Sequence, residues 1–203
     1  MEDVPRGTYV STDDALSAFI WRHMTLAKLP RLGTEAVTTL GRIVDMRRHI
    51  SLPLTYAGVA ATKALVTEDA HKLASHKTLG TIATALRTGV STSALAHDFK
   101  TLAALRKRGE VSNADLLRPD PTKDVMLSSW VKYAKIWSFD FGLGLGKLES
   151  VRRPLFRLAK EGLVYLLPKR PDGEIVVVLC MRGEDLRQME EGEEWVQWAR
   201  WIG

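Results

Sequence analysis

A single cysteine in 203 residues rules out an internal disulfide, so Cys180 is read as a side chain and not as half of a crosslink. A reducing cytosol is the compartment that fits such a chain. No uninterrupted apolar stretch approaches the ~18 residues a membrane helix needs, and no basic leader followed by an apolar run opens the sequence. The expectation is a cytoplasmic protein that touches no membrane. Lys and Arg number 29 against 24 Asp and Glu, for a net charge of +5 and a sequence pI near 9.4. That balance suits an anionic ligand. The two signs are interspersed, however, with no arginine-rich arm and no basic stripe with interleaved aromatics, which argues against nucleic acid as a partner.

Other chemistries are missing too. His71 and His76 are five apart and so lie on different sides of a helix, which does not suit a metal pair at i, i+4. No metal site is expected. The P-loop spacing is absent, no Ser or Cys sits in a nucleophile-elbow context, and there is neither an internal repeat nor a low-complexity segment.

What is present suffices for a folded domain: hydrophobic residues make up 45% of the chain, enough for one core at this length. Ser11 followed by Asp14 is a helix-start signature, and Ala15, Phe19, Ile20, Trp21 and Leu26 recur at helical spacing as far as Pro30. Residues 36–45 carry β-branched side chains in loose alternation and predict a strand that delivers Arg47 and Arg48 at its end. Pro53 and Gly58 mark irregular chain beyond it. Residues 67–88 and 93–108 predict two helices separated near Gly89. Residues 113–123, with Pro119 and Pro121, predict a loop before a strand over 125–133. Residues 162–168 and 174–181 predict an antiparallel hairpin joined by the turn at 169–173, with Cys180 as a small buried residue in its second strand. Residues 184–202 predict one amphipathic helix that buries Leu186, Met189, Trp195, Trp198 and Ile202.

The most informative stretch is Asp140-Phe141-Gly142-Leu143-Gly144-Leu145-Gly146-Lys147. Glycines at alternate positions describe backbone that either turns tightly, as in a bulge or loop with no ligand, or lies close to another group. It is not a dinucleotide fingerprint, because it does not open a βαβ unit. Its context is Ser129-Trp130 upstream, Val151-Arg152-Arg153-Pro154 and Glu161-Gly162-Leu163-Val164-Tyr165 downstream, with Ser11-Thr12-Asp13-Asp14 and Val44-Asp45-Met46-Arg47-Arg48 earlier in the chain. In this order the segments resemble the C-terminal half of the BAHD-type acyltransferases, in their fungal branch of trichothecene O-acetyltransferase-like enzymes, over nearly all 203 residues.

The resemblance implies an α/β fold of the α+β type: a chloramphenicol-acetyltransferase-like mixed sheet flanked by helices, one of the two domains of such enzymes, with residues 1–203 as a single C-terminal, CoA-side domain. It implies transfer of an acyl group, acetyl by preference, from acyl-CoA to a hydroxyl of a small secondary metabolite. The family's His-x-x-x-Asp base belongs to the N-terminal half. None of His23, His49, His71, His76 and His97 has Asp four residues on, so no catalytic residue is expected here. A missing N-terminal half-domain is therefore an implied partner, and a non-catalytic CoA-binding or interaction module is the alternative. In the family the Asp of the D-F-G-x-G motif is structural and pairs with an arginine at a strand end. The matching residues are Asp140, Phe141, Gly142 and Gly144, with Arg47 as the arginine. Ser128, Ser129 and Trp130 match the strand that borders the CoA channel; they either contact the pantetheine arm or are ordinary strand residues. Lys147, Arg152 and Arg153 are candidates for the CoA phosphates or else a solvated basic turn. Two departures stand out: Leu143 replaces the motif's usual Trp, and Val59 replaces an Asn after Tyr56-Ala57-Gly58.

Overall fold

The computed structural model describes residues 9–110, 119–153 and 160–202. The part of the 113–123 loop before Pro119, Pro154 and the terminal Gly203 lie outside them.

The first helix, α1 (Thr12–Lys28), begins where the sequence says it should. The Ser11 hydroxyl accepts from the Asp14 amide, and the Asp14 carboxylate accepts from the Ser11 amide. This capping box satisfies two of the helix's otherwise unpaired N–H groups. The buried face of α1 is Ser17, Ala18, Ile20, Trp21, Met24 and Ala27; Ala15 and Leu26 face outward. A 3₁₀ turn at Leu29–Arg31, with Pro30 inside it, ends the helix.

Five strands form one mixed sheet in the order β2-β1-β3-β4-β5: β1 (Val37–Asp45), β2 (Ala61–Asp69), β3 (Val125–Ser129), β4 (Leu163–Leu166) and β5 (Val177–Leu179). β1 is antiparallel to β2 and parallel to β3, β3 is parallel to β4, and β4 and β5 form the expected antiparallel hairpin. The helices between β2 and β3 are α2 (Ala70–Ser75), α3 (Leu79–Thr88) and α4 (Thr92–Lys107). After β5 come α5 (Gly183–Glu190) and α6 (Glu193–Trp198). The α+β character and mixed sheet expected from the sequence are therefore present.

Four boundaries differ from expectation. Residues 67–69 end β2 instead of opening a helix, because Asp69 keeps an extended backbone and caps α2 through the Lys72 amide. The predicted helix over 67–88 is further split between α2 and α3, where Thr78 caps a new start. The strand over 125–133 stops at Ser129: Trp130 leaves the extended region, with φ −112° and ψ 7°, and a 3₁₀ helix occupies Val131–Ser138. The helix over 184–202 is two helices broken at Glu191-Gly192, so Met189 and Trp195 are buried while Trp198 and Ile202 are exposed.

Strand alternation sets which face is covered. Thr38, Leu40 and Arg42 of β1, Val125 and Leu127 of β3, and Val164 and Leu166 of β4 point to the helices, where they meet Trp21, Met24, Leu73, Ile82, Leu86 and Met189 in one core. A smaller cluster of Met46, Ala64 and Leu95 extends that layer towards α4. The opposite face carries Leu65, Ile43, Met126, Ser128, Leu163 and Tyr165, all partly or largely exposed; no described helix packs on it. The described helices thus lie along one face of the sheet. Gly162 marks a close approach at the entrance to β4: its φ is +83°, and an added Cβ would sit 2.5 Å from the Asp124 carbonyl oxygen.

Candidate functional site

The three residues at the end of β3 go to different places. Ser128 is in register with Tyr165 and faces the open side of the sheet. Ser129 faces the helices, where its hydroxyl donates to the Asp13 carboxylate in the first turn of α1. Trp130 lies beyond the strand with its ring 6.3 Å from that of Tyr165. Arg153 joins this group: its guanidinium is 3.7 Å from the centre of the Tyr165 ring and 6.0 Å from that of Trp130. An arginine over two aromatic faces is held by cation–π attraction and by the shape of its flat headgroup. The open face thereby gathers Ser128, Trp130, Tyr165 and Arg153. Cys180 pairs through its backbone with Leu163 on the same side. Its thiol pKa is pushed up by burial, with Arg153 offsetting part of the effect.

Arg152 goes elsewhere. With Trp137, Ser150, Leu167, Pro168 and Arg170 it lines a shallow cleft between the 3₁₀ helix and the β4–β5 turn. Lys147 is exposed on the glycine-rich loop, where it forms an isolated bridge with Asp140. Of the six residues matched to a CoA channel, then, Ser128, Trp130 and Arg153 are brought together, while Ser129, Lys147 and Arg152 are not.

The glycine-rich segment is a tight two-way turn. The Phe141 amide donates to the Gly146 carbonyl and the Leu145 amide to the Gly142 carbonyl, 3.0 and 2.9 Å. Gly142, Gly144 and Gly146 all have φ between +68° and +77°, the region that costs residues with a Cβ most. Leu143 shares it at +52° and is wholly exposed. Among the described residues nothing outside the turn lies within 4 Å of where a Cβ would stand on any of the three glycines. Of the two readings of the spacing, the turn is the one realised here.

The expected Asp140–Arg47 pair does not form. The Asp140 carboxylate accepts from the Gly142 amide at 2.8 Å in an exposed local turn. Arg47 folds back on β1 instead: its Nη1 is 3.0 Å from Asp45, and it donates to the carbonyls of Tyr56 and Gly58 at 2.7 to 3.1 Å. The reason is local reach, since Asp45 is two residues away and the 56–58 segment turns over the strand end. The Asp45 carboxyl sits below the usual range, chiefly because the Arg47 amide donates to it. Val59 follows that anchored loop and is almost fully exposed.

The model of the Transferase family matches residues 2–196. The chain belongs to that family. These are the BAHD-type acyltransferases that its sequence resembles. The chain is 38% identical over 208 aligned residues to the trichothecene 3-O-acetyltransferase of Saccharomyces cerevisiae, covering all of this chain and 43% of that protein. It is 39% identical to the trichothecene 3-O-acetyltransferase of Fusarium sporotrichioides, covering 96% of this chain and 42% of that protein. A crystal structure of the F. sporotrichioides enzyme complexed with coenzyme A and T-2 superposes with a TM-score of 0.88 at 37% identity, over 97% of this chain and 45% of that one. The chain thus spans less than half the length of the relatives it matches.

Two polar clusters in this Transferase-family chain escaped sequence reasoning. Arg42 projects from the covered face of β1 among apolar residues and is 2.6 Å from the Asp14 carboxylate, with a further bond to the Leu86 carbonyl. Burial alone would raise the Asp14 pKa, but the Ser11 hydroxyl and Arg42 outweigh it and hold the carboxyl below its ordinary value. The signal was available: alternation from Thr38 and Leu40 puts Arg42 inside, where a charge needs a partner. The second cluster closes the far end of α1. Arg31 binds both oxygens of Asp185 and also Glu161; Arg182 reaches Glu161 from the other side. Lys28 lies fully buried beside them, 3.5 Å from the Asp124 carbonyl and 3.9 Å from Glu161. Burial lowers its pKa, with Glu161 opposing. Among the described residues no group of three or more His, Cys, Asp or Glu is placed to hold a metal.

Proposed function

We propose that these residues form the CoA-side domain of an acyl-CoA-dependent O-acyltransferase that transfers an acyl group, acetyl by preference, to a hydroxyl of a small secondary metabolite. The observation that carries this reading is the match over 97% of the chain to an enzyme crystallised with coenzyme A and T-2, at a TM-score of 0.88. The open sheet face supports it. A sheet with one face packed and the other carrying Ser128, Trp130, Tyr165 and Arg153 is suited to border a channel whose second wall lies outside these residues.

In the reaction the acceptor oxygen bonds to the thioester carbonyl carbon, the carbon–sulfur bond breaks, and the hydroxyl proton ends on the departing CoA thiol by way of a general base. An alcohol needs such a base at neutral pH. His23, the most buried histidine, is committed elsewhere: its Nδ1 is 2.8 Å from the Phe19 carbonyl, and its ring is packed against Phe19 and Trp195. None of the five histidines is followed four residues on by Asp, so in the proposal the base is supplied from outside these residues. In the proposal Ser128, Trp130 and Arg153 line the channel, and the basic residues around it receive the CoA phosphates.

The test is an acetyl-transfer assay with acetyl-CoA and a trichothecene alcohol, run on this chain alone and after joining it to a His-x-x-x-Asp-bearing half from a relative. Turnover only in the joined protein, lost when the added histidine is changed to alanine, is the expected result. Full turnover by the chain alone, or none in a joined protein that is folded and binds CoA, would overturn the reading.

A further inference from the structure

The end of β3 is fastened unevenly. β1 pairs with β3 where Leu40, Gly41 and Arg42 meet Val125, Met126 and Leu127, whereas β4 follows β3 as far as Ser129, opposite Leu166. Beyond Leu127 the strand is therefore paired along its β4 edge alone, where the Trp130 amide also donates to the Leu166 carbonyl at 2.8 Å. From the helix layer a side chain takes hold instead. Asp13, in the first turn of α1, accepts from the Ser129 hydroxyl. The two adjacent carboxylates of that turn divide between different partners. Asp14 closes the capping box and pairs with Arg42 at 2.6 Å, which leaves Arg42 3.8 Å from Asp13. Asp13 is thus not needed to neutralise Arg42, and among the described residues its one hydrogen bond comes from Ser129.

That bond lies where the open face is made. Side chains alternate along a strand, so holding Ser129 against the helices holds Ser128 on the opposite face. One residue on, the strand breaks at Trp130, with φ −112° and ψ 7°. The Trp130 ring stands 6.3 Å from that of Tyr165 and 6.0 Å from the Arg153 guanidinium. A strand end held from one edge frays at low cost, and a second tether suppresses that opening. We propose that Asp13 is a positioning residue for the open face. By holding Ser129 it sets the direction of Ser128 and the point at which Trp130 leaves the strand, without touching a ligand itself. Its effect on acyl transfer rests on the function proposed above; its effect on the strand end does not. An acidic residue in the first turn of a helix also complements the macrodipole, and chemistry separates the two roles. The dipole needs the negative charge, whereas the Ser129 hydroxyl needs only an oxygen acceptor, which asparagine also supplies.

The experiment has two arms. In the first, this chain is made with fluorotryptophan, and the fluorine resonance of Trp130 is assigned by its loss in Trp130→Phe. Asp13→Ala and Ser129→Ala are each expected to shift or broaden that resonance, the double variant no further than either single one, and Asp13→Asn to leave it in place. Each melting temperature is expected to fall by no more than about 4 °C, the scale of one hydrogen bond. In the second arm the same substitutions are placed in the protein joined to a His-x-x-x-Asp-bearing half, and acetyl transfer is measured. The kcat of Asp13→Ala and of Ser129→Ala is expected to drop about ten- to hundredfold, the cost of misplacing groups at a distance from the substitution, and Asp13→Asn to restore most of it. An unmoved Trp130 resonance in Asp13→Ala, additive effects of the two single substitutions, or Asp13→Asn as impaired as Asp13→Ala overturns the proposal. So does normal transfer by Asp13→Ala, or a melting loss far beyond one hydrogen bond in both alanine variants, which marks a general structural tie. If the unaltered joined protein transfers nothing, the transferase reading falls, and the first arm alone decides whether Asp13 sets the strand end.

Discussion

Replacing Arg42 tests how the first helix is fastened to the sheet. Asp14 is 1% exposed and Arg42 7%, and the two lie 2.6 Å apart at the start of α1. Removing one member of a buried pair leaves the other charge without compensation and costs about 3–5 kcal/mol. Asp14 keeps contacts at 2.7 and 3.0 Å to the Ser11 hydroxyl and amide, and Arg87 is 3.6 Å away. These place Arg42→Met near the lower end, about 3 kcal/mol. In a chain of this length that corresponds to a melting temperature about 6–12 °C lower. The partner change separates charge from packing. Asn at position 14 can still accept from the Ser11 amide, so Arg42→Met with Asp14→Asn should recover most of the loss, because no bare carboxylate is left buried. The acid limb gives a second reading. A carboxyl held below its ordinary value stabilises the fold fully above that value, near 3.8, and the contribution is lost as pH falls through the depressed one. In Arg42→Met much of that contribution is already gone, so its deficit should shrink towards low pH. The assay is urea unfolding followed by far-ultraviolet circular dichroism between pH 3 and 8. A single variant within about 0.5 kcal/mol of the unaltered chain, the ordinary range for surface changes, or a deficit that grows as the pH drops, would refute the reasoning.

Two further outcomes follow from the other charged groups. Lys28 is fully buried with only long contacts, at 3.5 and 3.9 Å, while Glu161 keeps Arg31 and Arg182. Lys28→Met should therefore melt at or above the original temperature at pH 7, and should lose the gain in stability that the original shows as pH rises through the lowered lysine value; a loss above about 1 kcal/mol would contradict this. Asp140 accepts one local amide in an exposed turn, so Asp140→Ala should cost this chain no more than about 1 kcal/mol in thermal melting. A loss of the size expected for Arg42 would restore Asp140 as a buried structural anchor.

Much of the fold was legible because it is written in short-range chemistry. The α1 start is fixed by Ser11 and Asp14, three residues apart, and the β4–β5 hairpin by two apolar runs around a Pro-Asp-Gly turn. The glycine-rich turn follows from three residues that accept positive φ. Errors arose where a tertiary partner overrode a local pattern. Thr67–Asp69 sits beside alanine- and lysine-rich helix sequence but is drawn into the sheet by pairing with Val37–Thr39. The candidate site was legible only as a set of residue types. Ser128 and Ser129 are neighbours in sequence, yet the pleat sends one to the open face and the other to Asp13, 116 positions away.

The sequence by itself determined which family this chain belongs to, where its helices and hairpin begin, and that no His-x-x-x-Asp base is present, since each depends on residue types at fixed short spacings. The tertiary structure alone decided the pairings. Arg47 is taken by Asp45 and the 56–58 carbonyls and not by Asp140, Arg42 closes on Asp14 from 28 residues away, and Arg152 and Arg153 part to a cleft and an open face. A long cationic side chain can reach many partners, and only the packed sheet and helices fix which one lies within the few ångströms where a charge is compensated.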